Sequence, residues 1–196
     1  MRELELKAVV SDLNSCRARL MQRGGVLRES GKLRDLRYDT EDRALRTRDV
    51  VLRVREFTGA TKRASLDWKG AATFDSGYKE REEVTLGVAD AATARRVLEG
   101  LGFVVSFEIE RDIEVFDVHG ATVRFESYAR MDTLVEVEGA PAAIEQAILS
   151  LGIPRSEFTT QRLADFVQRY ELRTGQRAAL STADVESAGS YARADA

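Results

Sequence analysis

The sequence predicts an α+β fold: a mainly antiparallel sheet of about eight strands, curled enough to close, with helices packed on its outside. Three observations lead there. Charged and apolar residues alternate with period two in stretch after stretch. Amphipathic helical segments separate those stretches. The charged sides carry acids and bases together, which a sheet simply facing water has no need to arrange.

The theme is set at once by Glu3-Leu4-Glu5-Leu6-Lys7-Ala8. Successive strand side chains point to opposite faces, so Glu3, Glu5 and Lys7 share one side and Leu4, Leu6 and Ala8 the other. Ser11 is then expected to N-cap a helix from Asp12 to Arg23, with Leu13, Cys16, Leu20 and Met21 at helical spacing and Gly24-Gly25 as its stop. Residues 26–34 read as extended and lead into Asp35-Leu36-Arg37-Tyr38-Asp39-Thr40, followed by a turn or short helix over 41–45. Residues 50–56 form a strand with Arg53 and Arg55 on one face. Thr58-Gly59-Ala60 turns it, and residues 64–70 return with Asp67 and Lys69 on one face opposite Leu66 and Trp68. Residues 78–86 add a strand bearing Lys79, Arg81 and Glu83 on one side.

Residues 89–101 carry Ala91, Ala94, Val97, Leu98 and Leu101 at helical spacing. Residues 103–118, with a break at Ser106, and 122–128 read as a hairpin around His119-Gly120. Leu134-Val135-Glu136-Val137-Glu138 mirrors the opening strand. Pro141 starts a helix to Leu151, and a last helix spans 159–172, capped by Thr159 or Thr160. From Arg173 onward small and polar residues dominate without an apolar period. The expected division is therefore one domain over residues 1–172 and a disordered tail over 173–196.

Charged residues make up 32% of the 196, yet the net charge is −3, which excludes a uniformly basic nucleic-acid binder. The single cysteine, Cys16, excludes an internal disulfide and reads as a small core residue. No apolar run approaches the ~20 residues that span a bilayer, and the N-terminus lacks a secretion-signal pattern, so a cytoplasmic protein with no membrane partner is expected.

The apolar strand faces need covering, and the helices can cover them from outside. The charged faces then meet across the interior: Glu3, Glu5, Glu83, Glu126, Glu136 and Glu138 against Lys7, Arg53, Arg55, Lys69, Lys79, Arg81, Arg111 and Arg124. Burying unpaired ions costs several kcal/mol each. Such an interior persists when hydrated or filled by a complementary partner, and a polyanion with a divalent metal satisfies both signs. Arg and Lys take phosphate oxygens, and clustered carboxylates hold Mg²⁺ or Mn²⁺. Solvated strand faces with surface ion pairs are the competing reading.

In order along the chain, these residues resemble the CYTH superfamily, the triphosphate tunnel metalloenzymes that include class IV adenylyl cyclases and thiamine triphosphatase. Glu3-x-Glu5-x-Lys7 is similar to its N-terminal signature, and Asp35 to Thr40 to its D-x-Y-F/Y-D-T element. Leu52-Arg53-Val54-Arg55 and Trp68-Lys69-Gly70 resemble its basic strands, Arg81-Glu82-Glu83 its R-E-E, and residues 134–138 its closing E-x-E. The resemblance implies an eight-stranded antiparallel β-barrel whose tunnel binds a triphosphate. Glu3, Glu5, Glu136 and Glu138 would hold Mg²⁺ or Mn²⁺, with Glu126 assisting. Lys7, Arg53, Arg55, Lys69, Arg81 and Arg111 would carry both binding and catalysis, with Lys79 also facing the substrate. The layout is similar to the class IV cyclase-like branch.

The chain departs from the pattern in three places. Arg111 lacks the usual lysine partner, and Arg124 is expected to supply the missing charge. Arg37 stands where a tyrosine is frequent, and Met131-Asp132 where Leu-Gly is usual. The expected function is metal-dependent cleavage of a nucleoside, thiamine or inorganic triphosphate. Attack by water would make the chain a triphosphatase; attack by a ribose 3′-hydroxyl would make it an adenylyl cyclase. A non-catalytic polyphosphate- or nucleotide-binding module is the alternative. Tyr38 and Trp68 are expected in the outer core, and the sequence leaves Tyr128 and the oligomeric state open.

Overall fold

A computed structural model describes residues 2–75 and 77–186; of Arg2, Glu3, Asp75 and Glu186 it describes the backbone alone. The strands are β1 (Arg2–Val10), β2 (Val26–Asp39), β3 (Val51–Gly59), β4 (Lys62–Lys69), β5 (Thr73–Asp75), β6 (Tyr78–Val88), β7 (Val104–Val118), β8 (Ala121–Tyr128) and β9 (Thr133–Glu138). They pair antiparallel in the order β1-β9-β8-β7-β2-β3-β4-β6, and β6 pairs back onto β1, which closes an eight-stranded barrel. The short β5 hangs on β6 outside the ring. Closure leaves none of the eight strands a long open edge.

Helices α1 (Leu13–Gln22), α2 (Ala44–Thr47), α3 (Ala91–Gly100), α4 (Pro141–Leu151), α5 (Leu163–Thr174) and α6 (Thr182–Glu186) lie around this wall. α1 and α4 cover the outer face of β1, β8 and β9, where Leu6, Leu20, Val123, Val137, Ile144 and Ile148 share one core. α3 covers β2, β3 and β4 through Leu98, Ala91, Leu36, Tyr38 and Val54, so Tyr38 packs outward as the alternation requires. Pro141 opens α4 and Gly152 ends it in the left-handed region, as the sequence indicates. His119 (φ 51°) and Gly120 (φ 79°) make a two-residue turn of the primed type that suits a β7–β8 hairpin. The break at Ser106 is a bulge: Arg37 faces Phe107 and Tyr38 faces Val105, leaving Ser106 as the extra residue.

Several details correct the sequence reading. The N-cap of α1 is Asp12 rather than Ser11, because the Asp12 carboxylate accepts from the Ser15 N–H at 3.0 Å. α5 begins at Leu163, and Thr159 caps no helix. Its backbone instead bonds to Lys7, N–H to carbonyl in both directions at 2.8 and 2.9 Å, filling the edge of β1 beyond its pairing with β6. The tail expected to be unstructured from Arg173 is structured through Glu186: Arg173 and Thr174 complete α5, and Ala178, Ala179 and Leu180 are buried. Glu110 N–H donates to the Leu180 carbonyl and Arg130 pairs with Ala179, so this segment takes the edge of β7 that β8 leaves open. Residues 187–196 lie outside the described residues.

The two ends of the barrel differ. At one, α5 reaches the inward face of β7, packing Val167 and Leu163 against Phe107, Ile109 and Tyr128. Towards the other, the alternation of charges stops, and inward-facing Leu33, Phe57 and Ile113 are buried together with Val115 beside them. Beyond them Gly31 pairs with Gly59, where a Cβ on Gly31 would stand on the Thr58 carbonyl oxygen and 2.9 Å from Gly59 Cα. Gly31→Ala is therefore expected to destabilise the barrel by about 2 kcal/mol, read as a lower urea midpoint at unchanged slope.

A charged bore as the candidate active site

Between these ends lies a cavity of about 320 Å³, within the ~300–1,000 Å³ of small-molecule sites. Strand alternation aims its walls. Glu5 and Lys7 come from β1; Asp35 and Arg37 from β2; Arg53 and Arg55 from β3; Lys69 from β4; Lys79 and Arg81 from β6; Arg111 from β7; Arg124, Glu126 and Tyr128 from β8; and Glu136 from β9. Every cation anticipated from the sequence, Lys7, Arg53, Arg55, Lys69, Lys79, Arg81, Arg111 and Arg124, faces this one space. Cross-strand pairing puts Lys7 opposite Glu136, Glu5 opposite Glu138 and Arg124 opposite Glu136.

One carboxylate organises the arginines. Asp35, 1% exposed, accepts from Arg55 Nε (2.7 Å) and a second Arg55 nitrogen (2.9 Å), from Arg111 at 3.1 Å and from Arg53 at 3.5 Å. Burial alone would raise its pKa, but Arg55, Arg53 and Arg111 together hold it well below the usual carboxylate range. Asp67 does the same for Arg53, accepting from its Nε at 2.9 Å. Arg37 sits in this wall with its guanidinium 5.7 Å from the Phe107 ring. Burial and the charge of Arg53 bring its pKa down to about 10.

Glu126 links the next arginines. It accepts from Arg111 Nε (3.0 Å), Arg124 Nε (3.1 Å) and the Tyr128 hydroxyl (2.7 Å). Against the pull of burial, Arg111 and Arg124 keep its carboxyl strongly depressed, while Tyr128 is raised by burial and by Glu126. Tyr128 thus points inward.

The metal-ligand candidates divide. Glu5, Glu136 and Glu138 each present a carboxylate oxygen within 4.8 Å of the others, a hard-oxygen set of the kind Mg²⁺ and Mn²⁺ take, so these residues fit such an ion. Glu126, expected to assist, is not in that cluster; its oxygens are given to Arg111, Arg124 and Tyr128. The side chain of Glu3 lies outside the described residues, although its backbone pairs with Arg81. Glu83 pairs with Lys69.

Arg81 is braced rather than aimed at the centre. One terminal nitrogen donates to the carbonyls of Gly70 (2.7 Å) and Asp49 (2.9 Å), and the other to the Asp49 carboxylate at 2.9 and 3.0 Å. Asp49 also pairs with Arg162 at 3.2 Å. Asp39 accepts from the backbone N–H groups of Thr40, Leu45 and Arg46, pinning α2 to the rim. Sequence reasoning assigned no role to Asp35, Asp39, Asp49, Arg46 or Arg162. For Asp35 and Asp39 the shared period with Arg37 was the available signal; for Asp49 and Arg162, outside any strand, there was none.

The CYTH domain model matches residues 1–145. A candidate adenylate cyclase from Vibrio parahaemolyticus superposes with a TM-score of 0.72 at 15% identity, over 85% of this chain and 97% of its own. A Pyrococcus horikoshii protein gives 0.70 at 19%, over 89% and 99%. A Hippeastrum protein, for which a dominant triphosphatase activity is stated, gives 0.62 at 17%, over 92% and 98%. At these identities the likeness shows the shared barrel alone. No curated protein matches the sequence. The family match over residues 1–145 of 196, on a closed eight-stranded barrel with this charged interior, shows that the chain belongs to the CYTH domain family.

Proposed function

We propose that this chain is a divalent-metal-dependent triphosphatase that holds a triphosphate in the bore and cleaves it with water. The observation that carries the reading is the convergence of eight sequence-anticipated cations on one cavity that also holds the Glu5 and Glu136 carboxylates. Arg53, Arg55 and Arg111, each fixed by Asp35, Asp67 or Glu126, hold their remaining N–H donors at set positions for phosphate oxygens. Lys7, Lys69 and Lys79 add point charges. Arg81 positions the wall through Asp49. A divalent ion held by Glu5, Glu136 and Glu138 would neutralise phosphate charge and lower the pKa of a water.

Hydrolysis is favoured over cyclisation by the composition of the wall. Of the aromatic side chains along it, Tyr38 is packed in the outer core and Tyr128 is packed against the Phe107, Ile109 and Val167 cluster, with its hydroxyl engaged by Glu126. The wall therefore offers charge rather than a stacking platform for a base. The test is product analysis with ATP and with tripolyphosphate plus Mg²⁺ or Mn²⁺. Orthophosphate from both is expected. Cyclic AMP and pyrophosphate from ATP would make the chain a cyclase. Thermal stabilisation by tripolyphosphate without turnover would make it a binding module.

Lys69 gives the reading a pH signature. Burial and the charge of Arg53 pull its ammonium down to about 8, with Glu83 opposing. It is charged below that value and neutral above it, so tripolyphosphate affinity should fall as pH rises from about 7 to about 9. Titration calorimetry at each pH reads this, and Lys69→Met should flatten the profile.

A further inference from the structure

Every carboxylate of the candidate metal cluster is already occupied by a cation of the phosphate-binding set. Glu5 is held by Lys79 and, at 3.2 Å, by Lys7. Glu136 is held by Lys7 and Arg124, and Glu138 by Arg124 at 3.5 Å. The side chains involved are mostly buried, from 5% exposed at Glu136 to 19% at Glu138, so these pairs are screened less than surface pairs. The remaining arginines are tied elsewhere: Arg55 to Asp35, Arg53 to Asp35 and Asp67, and Arg111 to Asp35 and Glu126.

A divalent ion on Glu5, Glu136 and Glu138 would bring two positive charges to the carboxylates that Lys7, Lys79 and Arg124 now contact. Like charges at a few ångströms repel strongly in a buried site, so metal and these cations compete for the same three groups. The displaced cations stay tethered to the bore, where a phosphate chain can take them. Conversely, a phosphate chain that draws Lys7, Lys79 and Arg124 away leaves the carboxylates uncompensated and open to a metal. Arg53, Arg55 and Arg111 keep their own acids throughout, as a fixed cradle.

We propose that Lys7, Lys79 and Arg124 form a hand-over set: carboxylate-bound at rest, and released to phosphate when metal takes Glu5, Glu136 and Glu138, so that metal and triphosphate each prepare the site for the other. The proposal rests on the triphosphate reading and adds to it a division of labour among the cations. By linkage the coupling is reciprocal. It follows that these cations compete with metal when no anion is present.

The test titrates wild type, Lys7→Met, Lys79→Met and Arg55→Met by calorimetry with Mn²⁺ alone and, in chelator, with tripolyphosphate alone. Lys7→Met and Lys79→Met should bind Mn²⁺ about tenfold tighter than wild type, and tripolyphosphate about tenfold weaker. Arg55→Met, which removes a cation of the same cavity that touches none of the three carboxylates, should lose tripolyphosphate affinity with less than about a twofold change for Mn²⁺. Glu136→Gln should show the reverse of Lys7→Met, binding metal-free tripolyphosphate more tightly and Mn²⁺ more weakly.

A thermal scan without ligand shows which variants are folded. Should neither lysine variant fold, Glu136→Gln, which removes no cation, decides. Mn²⁺ affinity unchanged in the lysine variants, raised equally in Arg55→Met, or tripolyphosphate affinity not raised in Glu136→Gln would overturn the hand-over. The Mn²⁺ effects appearing with no tripolyphosphate binding by any form, wild type included, would leave the competition standing and remove the triphosphate reading instead.

Discussion

Glu136→Gln is expected to lower kcat for tripolyphosphate cleavage by about a thousandfold, some 4 kcal/mol of transition-state stabilisation. The substitution keeps the volume and removes a charge at a position 4% exposed, where Glu136 faces Lys7 across β1–β9 and Arg124 across β8–β9. It replaces one carboxylate oxygen of the Glu5–Glu136–Glu138 cluster with an amide nitrogen that binds no hard cation. Glu138→Gln, at the more open edge of the cluster, should cost less. Steady-state kinetics over a range of Mn²⁺ concentrations separates the effects. A lost metal oxygen raises the Mn²⁺ concentration needed for half-activation, which a general loss of packing would not do.

The largest effect on stability is expected at Asp35. Asp35→Ala leaves Arg53, Arg55 and Arg111 crowded at the centre of the bore with their common anion gone. Breaking a buried pair on one side costs about 3–5 kcal/mol, equivalent here to a fall in Tm of about 10 °C. Asp35→Asn, which keeps the acceptor oxygen, should cost less. The pH dependence has a definite sign. The folded carboxyl titrates well below its unfolded value, so its contribution is complete above about pH 4 and is lost as pH falls towards the depressed folded pKa. Wild-type stability should therefore drop steeply on acidification below about pH 4, and the Asp35→Asn variant should drop less. Calorimetric scans between about pH 3 and pH 7 read both.

What the sequence revealed and what it hid have the same physical origin. A period of two is a local signal, so Glu5 and Lys7, Arg53 and Arg55, Lys79 and Arg81, and Glu136 and Glu138 could be assigned to one face before any pairing was known. The recurrence of mixed charge on that face marked an enclosed bore. Partnership is not local. That Asp35 would meet Arg55, Arg53 and Arg111 depends on the registers of β2 with β3 and β7, which set Asp35 opposite Arg55 and opposite Ile109. The resemblance implied an assisting metal role for Glu126, whereas the β7–β8 pairing brings it Arg111 and its own strand face brings it Arg124.

The plug of Leu33, Phe57 and Ile113 was hidden for the opposite reason: these residues obey the alternation and merely replace its charges with apolar groups. Ala178, Ala179 and Leu180 were missed because so short an apolar run, set among Gly, Ser and Thr, has no period to detect. Its structure comes from the free edge of β7 and from α5. Thr159, read as a helix cap, owes its place to the open edge of β1.

The account stands on a metal-loaded triphosphate occupying the bore. The direct measurement is phosphate release from tripolyphosphate with Mn²⁺ by wild type and by Arg53→Met, together with tripolyphosphate binding to each. Wild type should bind and release phosphate, and the variant, short of one fork in the fixed cradle, should bind at least about tenfold more weakly. If wild type neither binds nor cleaves tripolyphosphate or ATP with either metal, the bore is not a triphosphate site and the account is wrong.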